Sequence, residues 1–481
     1  MTIEYDRLFI GGHWVQPSSA ARITLTSAST EETLGSVPEA VEADVDAAVA
    51  AARRAFDDPG GWRTWDTARR AAAMRSLANQ LAVRAEEMAR RVSSQNGMPI
   101  QISTGLEGGF PVALLHHYAD FIETQPVEQE RARPQGGTTL VRREPVGVVG
   151  AIAPWNFPQT LAAFKFAPAL AAGCTLVLKP SPETLLDAFL FAEAVAASDL
   201  PPGVVNIVPG GREAGVHLVA HPGIDKIAFT GSTPVGREIA QTCGRLLRPV
   251  TLELGGKSAA IVLDDADLDL SRIGRDLFAA TLINSGQTCY VGTRILAPRS
   301  RYAEVVDTLA AFMSSLPVGD ALDPATMIGP MVSRAHRDRV EGYIAKGKGE
   351  GARLVVGGGR PAGLDRGWFV EPTLFADVEN RSAIAQEEIF GPVLSVIPYT
   401  DIDDAVRQAN DSDFGLGGSV WTADPERGRE VARRVRTGTI GINHYLPDPG
   451  APFGGVKSSG LGRELGPEGL AAYQQLKSIF C

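Results

Sequence analysis

From about residue 140 onward, short β-rich runs alternate with segments of helical length, and no other feature constrains the fold as much. The runs V-G-V-V-G-A-I (146–152), T-L-V-L-K (175–179), V-V-N-I-V (204–208), K-I-A-F-T (226–230) and V-T-L-E-L (250–254) are separated by stretches such as 184–197 and 234–243. This βαβ rhythm predicts a parallel sheet covered by helices, with ligands at the carboxyl ends of its strands. A second series predicts another α/β unit of similar size: R-I-L-A (294–297), R-L-V-V (353–356), V-L-S-V-I-P-Y (393–399), G-G-S-V-W (417–421) and T-I-G-I-N (439–443). Ahead of both, after a short β-rich start, Val45, Val49, Ala52 and Phe56 recur at helical spacing. Met74, Leu77, Leu81, Met88 and Val92 do the same in a helix expected to start at an Asp66 N-cap and stop near Asn96-Gly97.

A chain of 481 residues exceeds what one hydrophobic core supports, so two or three domains are expected. The net charge of −10 comes without any basic block, which excludes nucleic acid and anionic membrane surfaces as partners. Cysteines at 174, 243, 289 and 481 form no C-x-x-C pair, arguing against a disulfide framework or zinc ribbon and for a reducing compartment. The start M-T-I-E-Y-D-R lacks the organisation of a signal peptide. The most apolar stretch, 161–178, is interrupted by Lys165, Pro168 and Gly173 and reads as a buried helix followed by a strand. The expectation is a cytoplasmic protein.

Several patterns imitate functional motifs. Gly357, Gly359 and Ala362 match a dinucleotide fingerprint, but P-A-G-L-D-R-G-W cannot open a helix after them. Gly256-Lys257-Ser258 resembles the end of a phosphate loop that lacks its first glycine. His217 and His221 stand four apart without the glutamate of a zinc protease, and no metal site is expected.

Stretches at strand ends are better candidates. F-T-G-S-T-P-V-G (229–236) joins strand to helix, either as a tight connection or as a phosphate site with free N–H groups. T-L-E-L-G-G-K-S (251–258) puts Glu253 in an apolar strand, where a carboxylate is either paired with a cation or raised in pKa for proton transfer. P-W-N-F-P (154–158) is a packed turn or a pocket wall offering the Asn156 amide as a donor. E-E-I-F-G-P (387–392) supplies two carboxylates and an aromatic ring, or else a solvated turn. N-S-G-Q-T-C (284–289) places Cys289 among small polar residues after a helical pattern. There it is either a small buried hydrophobe or a nucleophile whose electropositive surroundings favour the thiolate.

Taken together and in this order, P-W-N-F-P, K-P-S, F-T-G-S-T-x-x-G, L-E-L-G-G-K-S, G-Q-x-C, E-E-I-F-G-P and P-F-G-G-x-K-x-S-G resemble the aldehyde dehydrogenase superfamily over essentially the whole chain. The resemblance implies a Rossmann-like dinucleotide-binding domain (1–119, 141–253 and 446–466), an α/β catalytic domain (254–445) and a small β-rich oligomerisation arm (120–140 and 467–481). It implies Cys289 as nucleophile, Glu253 as general base, and Asn156 with the Cys289 N–H as oxyanion donors. Lys165 and Glu464 would orient or relay for the base. Trp155, Lys179, Gly231, Ser232, Gly236, Leu254, Glu388 and Phe390 would hold the cofactor, NAD or alternatively NADP. Phe157, Leu161, Phe164, Tyr290 and Phe453 would line a substrate tunnel suited to an apolar aliphatic or aromatic aldehyde. A homodimer or homotetramer is implied as well.

One departure bears on the cofactor. Where the family often carries a glutamate for the adenosine ribose this chain has Pro182, with Glu183 one place later. The implied reaction oxidises an aldehyde to an acid through a cysteine thiohemiacetal and a thioester. Glu253 argues against the CoA-acylating variant, whose members often lack the base, and the retained Cys289, Glu253 and Asn156 argue against a non-catalytic protein of the same fold.

Overall fold

In a computed structural model describing residues 2–481, the alternating pattern becomes two large sheets and two small ones. Five parallel strands form the centre of the first large sheet, in the spatial order Val250–Glu253, Lys226–Thr230, Val148–Ile152, Thr175–Lys179, Val205–Ile207. The chain therefore begins in the middle, winds to one edge, and returns to wind to the other. Between Val148–Ile152 and Lys226–Thr230 the crossovers leave on opposite faces, and a crevice opens at their carboxyl ends. Pro154-Trp155-Asn156 follows the first of these strands and Gly231-Ser232 the second, so two separate sequence motifs meet at one switch point. Helices on both faces explain why these strands are buried end to end rather than alternating.

Helix Pro158–Ala172, which starts at this crevice, is buried along its whole length. Gly173, at φ +92°, ends it in the left-handed conformation that glycine adopts most readily. The interrupted apolar stretch is thus a core helix followed by strand Thr175–Lys179. Among the described residues no helix is long and apolar enough to cross a membrane.

The second large sheet runs Arg353–Val356, Thr373–Ala376, Val393–Tyr399, Arg294–Pro298, Ala259–Val262, Gly418–Trp421, Gly441–Ile442, parallel except for its first pair. Only Leu254–Ser258 separates its strand Ala259–Val262 from Glu253 at the end of the first sheet. The two sheets therefore share the loop beside the site. Gln474–Phe480, Thr138–Pro145 and Glu128–Ala132 form a third, antiparallel sheet in which Glu128–Ala132 is exposed throughout. The β-rich start pairs as Ile3–Glu4, Thr33–Pro38 and Arg22–Thr26.

Three details differ from the sequence reading. The helix capped by Asp66, whose side chain accepts from the Arg69 N–H at 2.7 Å, is broken into Thr67–Ala82 and Ala85–Asn96. Val83 at the break is 78% exposed, and the turn there returns Met88 and Val92 to the core. Ala259–Val262 and Thr373–Ala376 are strands too short and too uniformly buried to show a period. T-I-G-I-N shrinks to the two-residue strand Gly441–Ile442.

Candidate active site

Cys289 owes its position to an unusual approach. After helix Leu270–Thr281, Asn284, Ser285 and Gly286 adopt φ of 54°, 56° and 71°, three successive left-handed residues. For the two that carry a Cβ this costs about 1–2 kcal/mol each, and their neighbours hold them there. The Ser285 hydroxyl donates to the Gly329 carbonyl (3.1 Å) and accepts from its N–H (2.9 Å). Gln287 Oε1 accepts from the Val332 N–H (3.0 Å). A Cβ on Gly286 would lie 2.2 Å from the Gly391 carbonyl, so no other residue fits. The resulting bend delivers Cys289 to a cleft of about 210 Å³ at the switch point.

Asn156 meets it there. Its Nδ2 donates to the Gln287 carbonyl (3.1 Å), and its own carbonyl accepts from Asn284 Nδ2 (3.0 Å). Asn96 Nδ2 donates to the Trp155 carbonyl at 2.9 Å. Sequence reading took Asn96 only as a helix stop and did not single out Asn284 or Gln287.

Glu253 sits behind the cleft at 2% exposure. Neither of its oxygens has a well-formed hydrogen bond, although the Gly455 N–H lies close. Burial, and then the Glu464 carboxylate, push its pKa well above the ordinary range. A Cβ on Gly454 would lie 2.5 Å from Glu253 Oε1, so a glycine is needed beside it. Lys165 Nζ bridges Glu464 Oε1 (2.8 Å) and Thr230 Oγ1 (2.6 Å), all buried. Thr230 in turn is the strand partner of Glu253. The base candidate, the lysine and the second glutamate thus form one interior cluster.

Trp155, Gly231, Ser232, Leu254, Glu388 and Phe390 line the cleft with Cys289 and Asn156. Glu388 Oε1 accepts from the Gly256 N–H (2.9 Å), and burial raises its carboxyl to about 7. Phe390, at φ +65°, stands edge-on to Trp155 at 5.4 Å. His336 bonds the Phe390 carbonyl through Nε2 (2.7 Å). Burial lowers its pKa to about 4, so the neutral ring carries its proton on that nitrogen. Arg339 donates to the Glu388 carbonyl at 2.7 Å. Sequence reading missed both residues, since helix Arg334–Gly349 reads as an ordinary charged surface helix. Two expected cofactor residues lie outside this lining. Lys179 donates to the Pro180 (3.0 Å) and Gly210 (2.6 Å) carbonyls, and burial lowers its pKa to about 8. Gly236 lets its helix approach Leu254, whose Cδ2 would be 2.5 Å from a Cβ there.

These residues fit a dinucleotide. Gly231 leaves an open corner where a side chain would strike the Phe229 ring, and helix Thr233–Arg245 presents its first-turn N–H groups beside it.

Behind Cys289, Phe164 packs on Phe453 (5.9 Å), and Phe453 on Tyr290 (6.4 Å). Phe110 extends this aromatic wall at one end (5.8 Å to Phe164) and Tyr445 at the other (4.6 Å to Tyr290), two residues the sequence reading missed. Phe157 and Leu161 are buried in the same apolar cluster, each 6% exposed.

The electrostatics of Cys289 depart from expectation. Its charged neighbours are carboxylates: burial first, then Glu388 and Glu253, push the thiol well above its ordinary pKa. The acids come from distant parts of the chain, which a local reading of N-S-G-Q-T-C cannot anticipate. Below a thiol's pKa the thiolate fraction rises tenfold per pH unit. Inactivation by iodoacetamide without cofactor should therefore accelerate about tenfold per unit across neutral and mildly alkaline pH. A plateau below pH 8 in that measurement would reveal a cation-stabilised thiolate instead.

His217 and His221 do come together, around Asp46 Oδ1 at 2.6 and 3.2 Å. His221 Nδ1 accepts from the Gly223 N–H (2.9 Å), which leaves the proton on the Nε2 that faces Asp46. The trio is thus satisfied as hydrogen-bonded side chains. Gly357 and Gly358 occupy left-handed turns in a loop, and no helix follows.

A switch-point crevice between two α/β sheets, ending on a cysteine with a buried glutamate behind it, is the arrangement of a dinucleotide-dependent oxidoreductase. The family model described as aldehyde dehydrogenase family matches residues 14–479, and the chain belongs to that family. It is 58% identical over 480 residues to geranial dehydrogenase of Castellaniella defragrans, covering 100% of this chain and 99% of that one. A Mycobacterium tuberculosis aldehyde dehydrogenase complexed with NAD+ superposes with a TM-score of 0.97 at 50% identity, covering 100% of this chain and 99% of that one. A cysteine-to-alanine mutant of Pseudomonas syringae aldehyde dehydrogenase C, complexed with NAD+ and octanal, matches with a TM-score of 0.94 at 40% identity over 99% of this chain and 96% of the other.

Proposed function

We propose that this chain oxidises apolar aldehydes, of the terpenoid or medium-chain aliphatic class, to carboxylic acids with NAD. The observation that carries the reading is the position of Cys289: dinucleotide cleft on one side, uncharged aromatic wall on the other. The relatives named for geranial and complexed with octanal support the same substrate class.

Cys289 releases its proton to solvent through the cleft and its sulfur adds to the aldehyde carbon, forming a thiohemiacetal whose oxyanion is held by Asn156 Nδ2 and the Cys289 N–H. The bound dinucleotide supplies the hydride acceptor that lets this adduct become a thioester. Glu253 then removes a proton from water, which attacks the thioester carbonyl; the acid leaves and the thiol is restored. Glu253 is suited to this because it is buried, free of a competing donor of good geometry, and raised in pKa. Glu388, Phe390 and the Gly231-Ser232 corner hold the cofactor, and Lys179 reaches its adenosine end. The third sheet serves as the arm through which copies associate, and the first and second large sheets belong to the dinucleotide and catalytic domains.

Pro182 offers neither a carboxylate to bond the ribose hydroxyls nor a charge to repel a 2′-phosphate, and the neighbouring Glu183 is engaged locally, its Oε2 accepting from the Ser181 hydroxyl (2.5 Å). NAD should therefore be preferred over NADP by less than about 10⁴-fold. A kcat/KM panel of geranial, octanal, a quaternary-ammonium aldehyde and a carboxylate-bearing semialdehyde, each with both cofactors, tests the proposal. The apolar substrates should lead by at least about 10²-fold, since the Phe164, Phe453 and Tyr290 rings pack an apolar chain and burying a charge against them costs its hydration. Equal rates for the charged aldehydes would refute the substrate class.

A further inference from the structure

Helix Pro158–Ala172 begins two residues after Asn156, yet it has no cap of its own. Its N-cap residue is Phe157, which offers no side-chain acceptor, and Pro158 follows. A buried helix start without acceptors leaves its first N–H groups unsatisfied. The acceptor comes instead from Glu107, in a distant helix. Glu107 Oε2 receives the Gln159 N–H at 2.7 Å and the Thr160 N–H at 3.4 Å. The Thr160 hydroxyl donates back to the Leu106 carbonyl at 2.5 Å.

Glu107 is 1% exposed and lies in a π-helical turn, Thr104–Gly109, between helices Ile100–Ser103 and Phe110–Thr124. A π-turn inserts an extra residue into a helix and re-aims the side chains around it. The insertion is locked in place: a Cβ on Gly108 would lie 2.6 Å from the Ala85 carbonyl of the neighbouring helix. A second tether holds the same helical turn. Gln159 Nε2 donates to Asp187 Oδ2 (2.6 Å), and Gln95 Nε2 donates to Asp187 Oδ1 (2.8 Å). These bonds fix the start of the helix on one side of Asn156, while Asn96 and Asn284 fix the strand end on the other.

We infer that Glu107 is a positioning residue for the oxyanion site, capping helix Pro158–Ala172 so that the Asn156 amide is held toward Cys289. This rests on the assignment of Asn156 as the oxyanion donor. Burial raises the Glu107 carboxyl to about 8, so near neutrality it carries a proton. Oε2, facing the helix, then acts as a carbonyl acceptor while Oε1 has no hydrogen-bond partner, so a glutamine can offer the same acceptor to the helix with its NH2 left unbonded on the other side.

Steady-state kinetics of the full-length enzyme in four variants test the role. Glu107→Ala should lower kcat by about 10²-fold, the size of effect expected from a displacement near 1 Å at the reacting centre. KM for NAD should stay within about twofold. Glu107→Gln should restore kcat to within about threefold of wild type. The double variant Glu107→Ala/Asn156→Ala should be no more than about threefold worse than Asn156→Ala alone, because the cap acts through the amide. Should Glu107→Ala not fold, Glu107→Asp takes its place, since its shorter arm cannot reach the helix. Wild-type kcat in Glu107→Ala or Glu107→Asp, or losses that multiply in the double variant, would overturn the positioning role while leaving Asn156 as donor. A near-wild-type Asn156→Ala would overturn the donor assignment and the positioning role with it.

Discussion

Replacing Cys289 by alanine should bring aldehyde turnover down by on the order of 10⁴-fold or more, with dinucleotide affinity almost unchanged. Two properties make the outcome informative. Cys289 is one of thirteen residues lining the cleft, so its loss removes only a small contact surface from a bound dinucleotide. Its thiol is also the group that makes the aldehyde carbon tetrahedral. An aldehyde hydrate is tetrahedral too and can release hydride without covalent capture, with Glu253 as the base. Residual turnover above about 1% of wild type would point to that hydrate route and against a thioester. Paired titration calorimetry with NAD and a steady-state assay with octanal separate loss of chemistry from loss of binding.

Glu253→Gln should stop the reaction one step later. The amide is nearly isosteric but cannot accept a proton from water, so acylation proceeds and the thioester accumulates. Rapid mixing should show about one equivalent of reduced nicotinamide per site in a burst, then a steady rate lower by about 10²–10⁴-fold. The sign of the pH dependence follows from the raised pKa. A base held protonated above the ordinary carboxylate range becomes competent only as pH rises, so wild-type deacylation should climb with pH. Glutamine does not titrate, and that limb should vanish in the variant. A variant that turns over at the wild-type rate, or keeps the limb, would place the base elsewhere.

Part of the site was legible because switch-point chemistry concentrates at the carboxyl ends of strands, and each such end is a few contiguous residues. P-W-N-F-P, F-T-G-S and L-E-L-G-G each carry their own turn chemistry but also an ordinary structural reading, and it is their order along the chain, with the other motifs, that marked them as one site. What could not be read is how those corners are held. Asn96 and Glu107 reach their partners from helices that carry no motif, and nothing local distinguishes Glu107 from a solvated acid. The acidic surroundings of Cys289 likewise arise only when Glu388 and Glu253 are brought to it by the second sheet and the first. Short buried strands such as Ala259–Val262 escaped for a simpler reason, being too brief to display a period.

The backbone bridge between Phe453 and Glu464 joins two parts of the site described separately above: each N–H donates to the other's carbonyl, at 2.7 and 2.8 Å. One residue belongs to the aromatic wall and the other bonds the lysine beside the base. Both come from the segment 453–464, which returns to lie against strand Val250–Glu253 through Gly460–Leu461. Wall and base cluster are therefore mechanically tied: any slip in the pairing of Phe453 with Glu464 would move the aromatic ring and the lysine's partner together.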